Sequence, residues 1–313
     1  MNVKAFLKLV EIQTKIASVF PFLIGVLFTL HRYDNFKLLN TVVFFFAMII
    51  FDMTTTAINN FLDYKKAVDE DYKITSNVIG RLGLNEKTIL ILILAMLSTA
   101  IGLGLYLVYL TSIIVLLFGV LCFGIGIFYT FGPIPLSRLP LGEVFSGITM
   151  GFGILFLTVY VNTFDLNYLA IAFVDNTLSM SFYVPELITI IFVSIPSIFT
   201  IANLMLANNI CDLEEDVKNH RYTIVYFLGQ AHSLKLFNTL YILAFLSILL
   251  LIFTGVHHPA MLLTLLAVPL VYKGVQQFNL KQIKSETFVI AVKNLVLVDG
   301  IIVIGLISSL LLG

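Results

Sequence analysis

Nine long apolar runs constrain this chain more than any other feature of its sequence. A helix that crosses the hydrocarbon core of a bilayer needs about 20 apolar residues. Only helices and closed barrels can satisfy their backbone hydrogen bonds there. The runs lie at roughly 10–30, 38–62, 88–108, 111–131, 141–162, 187–208, 235–255, 257–273 and 289–311. The sequence therefore predicts an all-α membrane protein, in which residues 1–313 form one domain with a bundle of nine transmembrane helices in two pseudo-repeated halves.

The composition agrees with a membrane protein and excludes several other classes. Hydrophobic residues make up 59% of the chain and charged residues only 12%, whereas a soluble domain is about 25% charged. The formal net charge is zero, so no basic surface indicates nucleic acid as a partner. The two cysteines, Cys122 and Cys211, have no spacing typical of a disulfide framework or a zinc site.

The basic residues predict how the bundle is inserted. When the N-terminus is placed in the cytoplasm, sixteen of the eighteen Lys and Arg residues fall in cytoplasmic segments, and only Arg32 and Lys37 lie outside. Such a bias is typical of the cytoplasmic side of membrane proteins. We therefore expect a multi-pass protein of the cell membrane, whose polar connections 63–87 and 209–234 face the cytoplasm and whose loop 163–186 faces outward.

Two of the apolar runs end in nearly the same polar motif. Residues 59–63 read Asn-Asn-Phe-Leu-Asp, and residues 208–212 read Asn-Asn-Ile-Cys-Asp. More carboxylates follow each of them, so that the first motif spans 59–71 and the second spans 208–216. Carboxylates at a membrane edge are costly unless a cation offsets them. The repetition in matching positions of the two halves predicts one shared cation site, facing the cytoplasm.

The spacing within each motif places oxygen-bearing side chains on one helix face. Asn59 and Asp63 are four residues apart, and Asn208, Asp212 and Asp216 are also spaced by four. Magnesium prefers oxygen ligands and completes its coordination with water and substrate phosphate. We expect the two motifs to hold Mg²⁺ across a diphosphate, with Asp63 and Asp212 as the principal catalytic carboxylates. The predicted metal ligands are Asn59, Asp63, Asp69, Asn208, Asp212 and Asp216.

Basic side chains follow both motifs. Lys73 and Arg81 come after the first motif, and Lys218 and Arg221 come after the second. Carboxylates alone repel a phosphate, but carboxylates with metal, and with Lys and Arg in reach, bind it. We therefore expect these four basic residues, together with the amides of the motifs, to contact a phosphorylated substrate.

The two motifs resemble those of the UbiA-type intramembrane aromatic prenyltransferases, a family with Asp-rich loops after the second and sixth of nine helices. The first motif matches as NNFLDYKKAVD and the second as NNICDLEEDVKNHRYTIVYFLG. Within the family the chain is most similar to the menaquinone branch, which prenylates 1,4-dihydroxy-2-naphthoate. The segment YTFGP, which begins at Tyr129, and the segment LGE, which ends at Glu143, are part of that similarity.

The resemblance implies a reaction as well as a fold. It implies Mg²⁺-dependent transfer of a polyprenyl chain from polyprenyl diphosphate to dihydroxynaphthoate, with loss of CO₂ and diphosphate, giving demethylmenaquinone in its reduced, hydroquinone form. The prenyl tail is then expected in the lipid bilayer and the diphosphate at the cytoplasmic mouth of the site. An aromatic face can stabilise an allylic cation, and Tyr129 is the candidate for that role. Asp69 and Glu143 are the candidates for a general base at the acceptor.

Three positions modify this interpretation. Many relatives begin their first helix with a basic motif, and only Lys15 can supply that charge here, so Lys15 is a candidate for binding the phosphorylated substrate. Glycine is common before the basic residue of the second motif, and His220 stands there instead. Asp52 lies seven residues before Asn59 on the same face, about 10 Å deeper at 1.5 Å per residue. Its carboxyl is either a contact for the aromatic substrate or a paired structural group.

Two alternatives remain open at this level. One is a prenyltransferase of the same family with another aromatic acceptor, such as 4-hydroxybenzoate. The other is a secondary transporter, since repeated halves with polar groups at broken helices also form ion-coupled sites. Transporter sites usually lie near the bilayer midplane, whereas both motifs here stand at the ends of apolar runs, which favours the enzyme.

Overall fold

The structure is a computed structural model that describes residues 1–33, 35–67, 70–130, 139–174 and 176–312. Its α-helices are α1 (Val3–Leu9), α2 (Ile16–Tyr33), α3 (Leu38–Lys66), α4 (Val78–Arg81), α5 (Glu86–Leu110), α6 (Ile113–Thr130), α7 (Gly142–Ser146), α8 (Ile154–Thr163), α9 (Val184–Cys211), α10 (Leu213–Lys218), α11 (Ile224–Leu228), α12 (Gln230–Phe253), α13 (Val268–Leu280) and α14 (Phe288–Leu312). Ile12–Lys15, Phe164–Leu166 and Pro259–Ala267 are 3₁₀-helical, and Tyr72–Ser76 and Gly147–Gly153 are π-helical. The strands are β1 (Leu169–Val174) and β2 (Thr177–Phe182).

Within the described residues, eight helical segments are long and apolar enough to cross a membrane. They are Ile12–Tyr33, Leu38–Lys66, Glu86–Leu110, Gly142–Leu166, Val184–Cys211, Gln230–Phe253, Pro259–Leu280 and Phe288–Leu312. The remaining predicted run forms the apolar segment Ile113–Phe128, which is only about 24 Å long at 1.5 Å per residue. The chain is therefore a predominantly helical, multi-pass membrane protein, in which the fourth apolar run is shorter than the others.

Helix α9 holds the bundle together through close packing and buried hydrogen bonds. A side chain at Gly151 would place its Cβ 2.6 Å from the backbone nitrogen of Ile198, so only glycine allows this approach of the two helices. On another face of α9, Ser197 and Thr200 donate to the fully buried carboxyl of Asp299 at 2.6 and 2.7 Å. Hydrogen bonds of this kind fix the register between neighbouring membrane helices.

The segment predicted as the loop 163–186 contains a β-hairpin. Strands β1 and β2 pair antiparallel, with Leu169 opposite Phe182 and Phe173 opposite Leu178. Residues 177–182 alternate strictly between small polar and large apolar side chains, and this period of two is the signature of a strand with two different faces. The all-α prediction missed it because the hairpin is short and lies between two long apolar runs.

The two motifs occupy equivalent places in the bundle. Asn59 and Asp63 lie in the last turns of α3, and Asn208 lies in the last turn of α9. Asp212 separates α9 from α10, but the backbone continues the helical hydrogen-bond pattern from Asn208 to Asp212 at 3.0 Å and from Asp212 to Asp216 at 2.8 Å. The predicted stripe of oxygen-bearing side chains is therefore nearly continuous across the break.

Candidate active site

One cavity of about 1620 Å³ is lined by residues of both motifs. The first motif contributes Asn59 and Asp63, and the second contributes Asn208, Asp212 and Asp216. About 150 residues of sequence separate the two sets. The ends of α3 and α9 are thus brought to the same mouth, as the sequence-based hypothesis of one shared site requires.

Several buried oxygens at this mouth have no hydrogen-bond donor. They include Oδ1 of Asn59 and Oδ2 of Asp216. Burial raises the pKa of the Asp216 carboxyl to about 6, against the opposing charge of Arg221, whose Nη1 lies 3.5 Å from Oδ1 of Asp216. A buried acceptor without a donor costs free energy. These oxygens therefore form a place suited to a cation or a proton donor.

A lysine that lies 72 residues after Asp212 in the sequence contacts the second motif. The Nζ atom of Lys284, in the connection between α13 and α14, donates to Oδ2 of Asp212. Both residues line the cavity. In the sequence, Lys284 is one of the sixteen basic residues that are predicted to be cytoplasmic, and no repeat or spacing distinguishes it from its neighbours.

A tight turn presents Arg221 to the second motif. The backbone nitrogen of Arg221 donates to the carbonyl of Asp216 at 2.8 Å. His220 makes this turn with a positive φ of 55°, a left-handed conformation that favours glycine. The backbone conformation at position 220 therefore explains why glycine is common there among relatives. Here the same left-handed conformation is adopted by histidine.

Asparagines hold the connection after the first motif against the bundle. Asn60 donates to the carbonyl of Leu9 at 3.0 Å, and Asn77 donates to the carbonyl of Asn60 at 3.0 Å. The side chain of Asn77 also caps α4, the helix that ends in the cavity-lining Arg81. The amide of Asn60 thus supplies a donor that fixes the mouth of the site.

A close backbone contact places α4 beside the π-helical turn 72–76. A Cβ at Gly80 would lie 1.9 Å from the carbonyl oxygen of Lys73, so no larger residue fits without movement of the backbone. Gly80 directly precedes Arg81, and its small size therefore contributes to the position of that guanidinium.

Lys15 and Asp52 form an ion pair deeper in the cavity. Nζ of Lys15 lies 2.6 Å from Oδ1 of Asp52 and 2.6 Å from Oγ1 of Thr56, and Ser18 donates to the other oxygen of Asp52. Both charged residues line the cavity. Of the two interpretations of Asp52, the structure gives it a structural partner. Lys15 is correspondingly neutralised, which lowers its value as a phosphate ligand.

The structure does not bring every predicted residue into the cavity lining. Lys73 lies 3.6 Å from Glu70 and 5.3 Å from the ring centre of Tyr64. Lys218 borders a separate shallow depression beside Tyr226. Neither lysine belongs to the lining of the large cavity.

Three further residues were predicted to belong to the site, namely Glu143, Asp69 and Tyr129. Glu143 is buried beneath the second motif, where Asn209 donates to it at 2.7 Å. Asp69 lies outside the described residues. Tyr129 belongs to α6, but its side chain is also outside the part of the chain that the structure describes. The roles of all three stay predictions.

The donor set fits magnesium bound together with a phosphorylated substrate. Among the described residues, no group of three or more His, Cys, Asp or Glu side chains could hold a metal ion by itself. Magnesium usually takes one or two protein carboxylates and obtains its other ligands from water and phosphate. The unpartnered oxygens of Asn59 and Asp216 are hard donors of this type. The residues present therefore fit Mg²⁺ when a diphosphate supplies the remaining ligands.

Comparisons with known proteins give a consistent result. Residues 18–291 match the model of the UbiA prenyltransferase family. The 1,4-dihydroxy-2-naphthoate octaprenyltransferase of Bacillus subtilis (strain 168) is 29% identical over 267 residues, which cover 85% of this chain and 79% of that protein. The family match confirms the resemblance inferred from the two motifs and supports an enzyme over a transporter.

Solved structures share the fold at low sequence identity. A UbiA homologue from Aeropyrum pernix K1, in its apo form, has a TM-score of 0.70 at 17% identity and covers 94% of this chain and 98% of its own. A UbiA homologue from Archaeoglobus fulgidus, bound to GPP and Mg²⁺, has a TM-score of 0.60 at 11% identity, with coverages of 97% and 99%. A structure described for digeranylgeranylglyceryl phosphate synthase has a TM-score of 0.63 at 15% identity and covers 98% of both chains.

Proposed function

We propose that this chain, which belongs to the UbiA prenyltransferase family, transfers a polyprenyl chain from its diphosphate to 1,4-dihydroxy-2-naphthoate, with release of diphosphate and CO₂. The observation that carries this proposal is the single cavity lined by both carboxylate motifs and by a long apolar wall. The choice of acceptor is supported by the similarity to a protein named as a dihydroxynaphthoate octaprenyltransferase. We place the mouth of the site on the cytoplasmic side of the cell membrane because of the distribution of Lys and Arg.

The diphosphate end of the donor is bound at the cavity mouth. Mg²⁺ would be held there by the cavity-lining residues of the two motifs, which are Asn59, Asp63, Asn208, Asp212 and Asp216. We propose Asp69 as a further ligand, although it lies outside the described residues. When bound, the metal offsets the charge of the departing diphosphate and so assists cleavage of the allylic C–O bond.

Arg81, which follows the first motif, and Arg221, which follows the second, line the same cavity. Guanidinium groups form strong, charge-assisted hydrogen bonds with phosphate oxygens. The two arginines therefore orient the leaving group, while Lys73 and Lys218 stand outside the cavity lining.

The inner part of the cavity excludes water from the reacting carbon. Phe51 and Phe123 line it with rings whose centroids are 4.2 Å apart. A dry wall prevents capture of an allylic cation by water, and aromatic faces stabilise the cation by about 0.5–2 kcal/mol each. Tyr129, on the same helix as Phe123, remains the proposed aromatic contact nearest the mouth.

The bond changes are balanced without a base at the ring carbon. The diphosphate leaves with the electron pair of the C–O bond, and the electron-rich ring forms the new C–C bond to the prenyl carbon. When attack occurs at the carbon that bears the carboxylate, the C–CO₂ bond breaks and returns its electron pair to the ring. Loss of CO₂ replaces loss of a proton at that position. Glu143, which is absent from the cavity lining, and Asp69 are then not needed as general bases at that carbon.

The test is an acceptor panel with purified, reconstituted protein and radiolabelled prenyl diphosphate. The acceptors are dihydroxynaphthoate with a labelled carboxyl group, 4-hydroxybenzoate and a glycerol phosphate lipid. We expect prenylated product only with dihydroxynaphthoate, together with one labelled CO₂ per product. Product with another acceptor, and none with dihydroxynaphthoate, would refute the proposed acceptor while leaving the prenyl transfer intact.

A further inference from the structure

The contact between Lys284 and Asp212 occupies a carboxylate that the proposed function assigns to metal. Nζ of Lys284 donates to Oδ2 of Asp212, while 52% of the Lys284 side chain remains exposed and only 12% of the Asp212 side chain does. The ammonium group therefore reaches the carboxylate from the open side of the cavity. A metal ion that approaches Asp212 has to compete with this group for the same oxygen lone pairs.

The connection that carries Lys284 is itself held in place. Oγ1 of Thr287 accepts from the backbone nitrogen of Ile283 at 2.9 Å, and the backbone nitrogen of Thr287 donates to the carbonyl of Ile283 at 2.7 Å. Ile283, Lys284 and Ser285 line the cavity, whereas Lys281 is absent from its lining. This third connection, which belongs to neither repeated motif, thus presents one lysine to the site and directs the other away from it.

On the basis of the proposed function, we propose that Lys284 is a positioning residue that couples metal binding to donor binding. Before the donor enters, the ammonium group neutralises Asp212 and disfavours binding of a bare divalent ion. When the donor enters, its diphosphate provides a new partner for the ammonium, and Asp212 becomes available to the metal. Lys284 thereby favours loading of metal and diphosphate together over loading of metal alone.

The proposal predicts opposite changes in two affinities for Lys284→Met. With Mn²⁺ as the probe and no donor present, electron paramagnetic resonance should show binding that is about threefold to tenfold tighter, because a competing charge is gone. The KM for prenyl diphosphate should rise about tenfold, the loss expected for one charge-assisted hydrogen bond. Lys284→Arg should restore the KM, since it keeps a cationic donor.

The control is Lys281→Met, which removes a neighbouring lysine that pairs with Glu286, and it should change neither affinity. Weaker or unchanged Mn²⁺ binding in Lys284→Met would overturn the proposal, since a merely structural lysine predicts no gain. The Mn²⁺ measurement uses no donor. An error in the identity of the acceptor would therefore leave it unaffected, whereas failure of the wild type to bind prenyl diphosphate would refute the proposed function instead.

A second, independent observation concerns the apolar face of the β-hairpin. The cross-strand pairs Leu169–Phe182, Ile171–Met180 and Phe173–Leu178 place six large apolar side chains on one face, because directly paired residues share a face. The opposite face carries the small or polar residues of the pairs between them. Leu169 is buried, but Phe173 is 71% exposed and Leu178 is 64% exposed. The outer half of this face has no protein partner among the described residues.

The hairpin is attached beside the short helix α6. Ser112, directly before α6, shares a hydrogen bond of 2.8 Å with the hydroxyl of Tyr160, which also donates to the carbonyl of Leu169 at 3.2 Å. The hydrocarbon core is about 30 Å thick, and the apolar part of α6 is about 24 Å long. The lipid-exposed residues of α6, such as Leu117 and Leu121, continue toward the hairpin.

We infer that this hairpin lies in the lipid interface at the end of the bundle opposite the motifs, with its apolar face against acyl chains.

The chain has no tryptophan, so the fluorescence of a single introduced Trp reports only on the surroundings of that residue. Leu178→Trp should fluoresce at short wavelength in phosphatidylcholine vesicles and be quenched severalfold by brominated acyl chains. Ser179→Trp, on the opposite face, should be quenched mainly by aqueous iodide. Iodide quenching at position 178 would overturn the inference, and so would a blue-shifted signal that brominated lipid leaves unchanged, since that indicates contact with a second copy.

Discussion

At the end of the bundle away from the motifs, charged side chains satisfy one another. Arg32 donates to both carboxylate oxygens of Glu186 at 2.6 and 3.0 Å, and Tyr33 donates to the same carboxylate. Lys37 lies 2.7 Å from Asp165. These contacts join α2, α3 and the ends of the helices on either side of the hairpin, so their acceptors are already supplied with donors.

At the motif end, ion pairs coexist with buried oxygens that lack donors. Lys284 contacts Asp212, and Arg221 contacts Asp216. Oxygens of Asn59, Asp216 and Glu143 nevertheless have no donor in the structure. Because an unsatisfied buried acceptor is destabilising, this difference indicates that the acceptors at the motif end are completed by a ligand, whereas the carboxylates of Glu186 and Asp165 at the other end are completed by the fold itself.

The largest expected effect is on turnover at the motif end. Asp63→Asn and Asp212→Asn should each lower kcat at least about a hundredfold, because each removes a charge assigned to the metal. Asp165→Asn, at the other end, should leave kcat unchanged. Initial rates of prenyl transfer by folded, reconstituted protein provide the measurement. Near-normal activity in either motif variant would remove the basis for the metal assignment.

Variants of the ion pair between Lys15 and Asp52 test whether charge pairing stabilises the deep part of the cavity, as it does at the end away from the motifs. Lys15→Met leaves a carboxylate without its cation, at a cost of about 3 kcal/mol of stability. The double variant Lys15→Met/Asp52→Asn should recover most of that loss, since no unpaired charge remains. Thermal unfolding in detergent measures both. Equal destabilisation of the single and double variants would show that the pair has no structural role of this kind.

Removing one charge at the end of the bundle away from the motifs should lower the stability of the protein but leave its catalytic rate unchanged. Glu186→Gln keeps the shape of the side chain and weakens its bonds to Arg32 and Tyr33, which we expect to cost about 1 kcal/mol in this partly exposed cluster. The readout is the thermal midpoint together with the rate per folded molecule. A loss of rate larger than the loss of folded protein would contradict the separation between the two ends.

The raised pKa of Asp216 predicts a pH dependence of metal binding. A carboxyl with a pKa of about 6 is almost fully ionised at pH 7.5 and mostly protonated at pH 5.5. Since metal and proton compete for it, Mn²⁺ affinity should fall about fourfold over that interval. Asp216→Asn should bind metal more weakly and lose this part of the pH dependence. An unchanged pH profile in that variant would assign the titration to another group.

The smallest expected effect concerns the strained turn before Arg221. His220→Gly should raise the free energy of unfolding by roughly 0.5 kcal/mol, because glycine adopts a positive φ without steric cost but loses more entropy on folding. Asn167→Gly is the matched control at the other end, where φ is 54°. Asparagine already tolerates this conformation, so the control should gain less. Chemical denaturation of the two variants tests the difference.

The sequence predicted most of the bundle and the core of the candidate site. Runs of apolar residues suffice for membrane helices because the bilayer admits little else. The repeat of Asn59 and Asp63 in Asn208 and Asp212 is visible without any coordinates. The hairpin at 169–182 was missed, although its alternation of apolar and small residues is clear in retrospect. Lys284 was missed because a single lysine in a polar connection carries no pattern.

Sequence alone determined the class of the protein, most of its long apolar helices and the two rows of oxygen-bearing side chains, because these depend on local periodicity and on the cost of polar groups in lipid. Only the tertiary structure decided which charges are already neutralised. The pairing of Lys15 with Asp52, of Lys284 with Asp212 and of Arg32 with Glu186 depends on how distant helix ends meet in space. That pairing separates oxygens supplied with donors from those left open to a ligand.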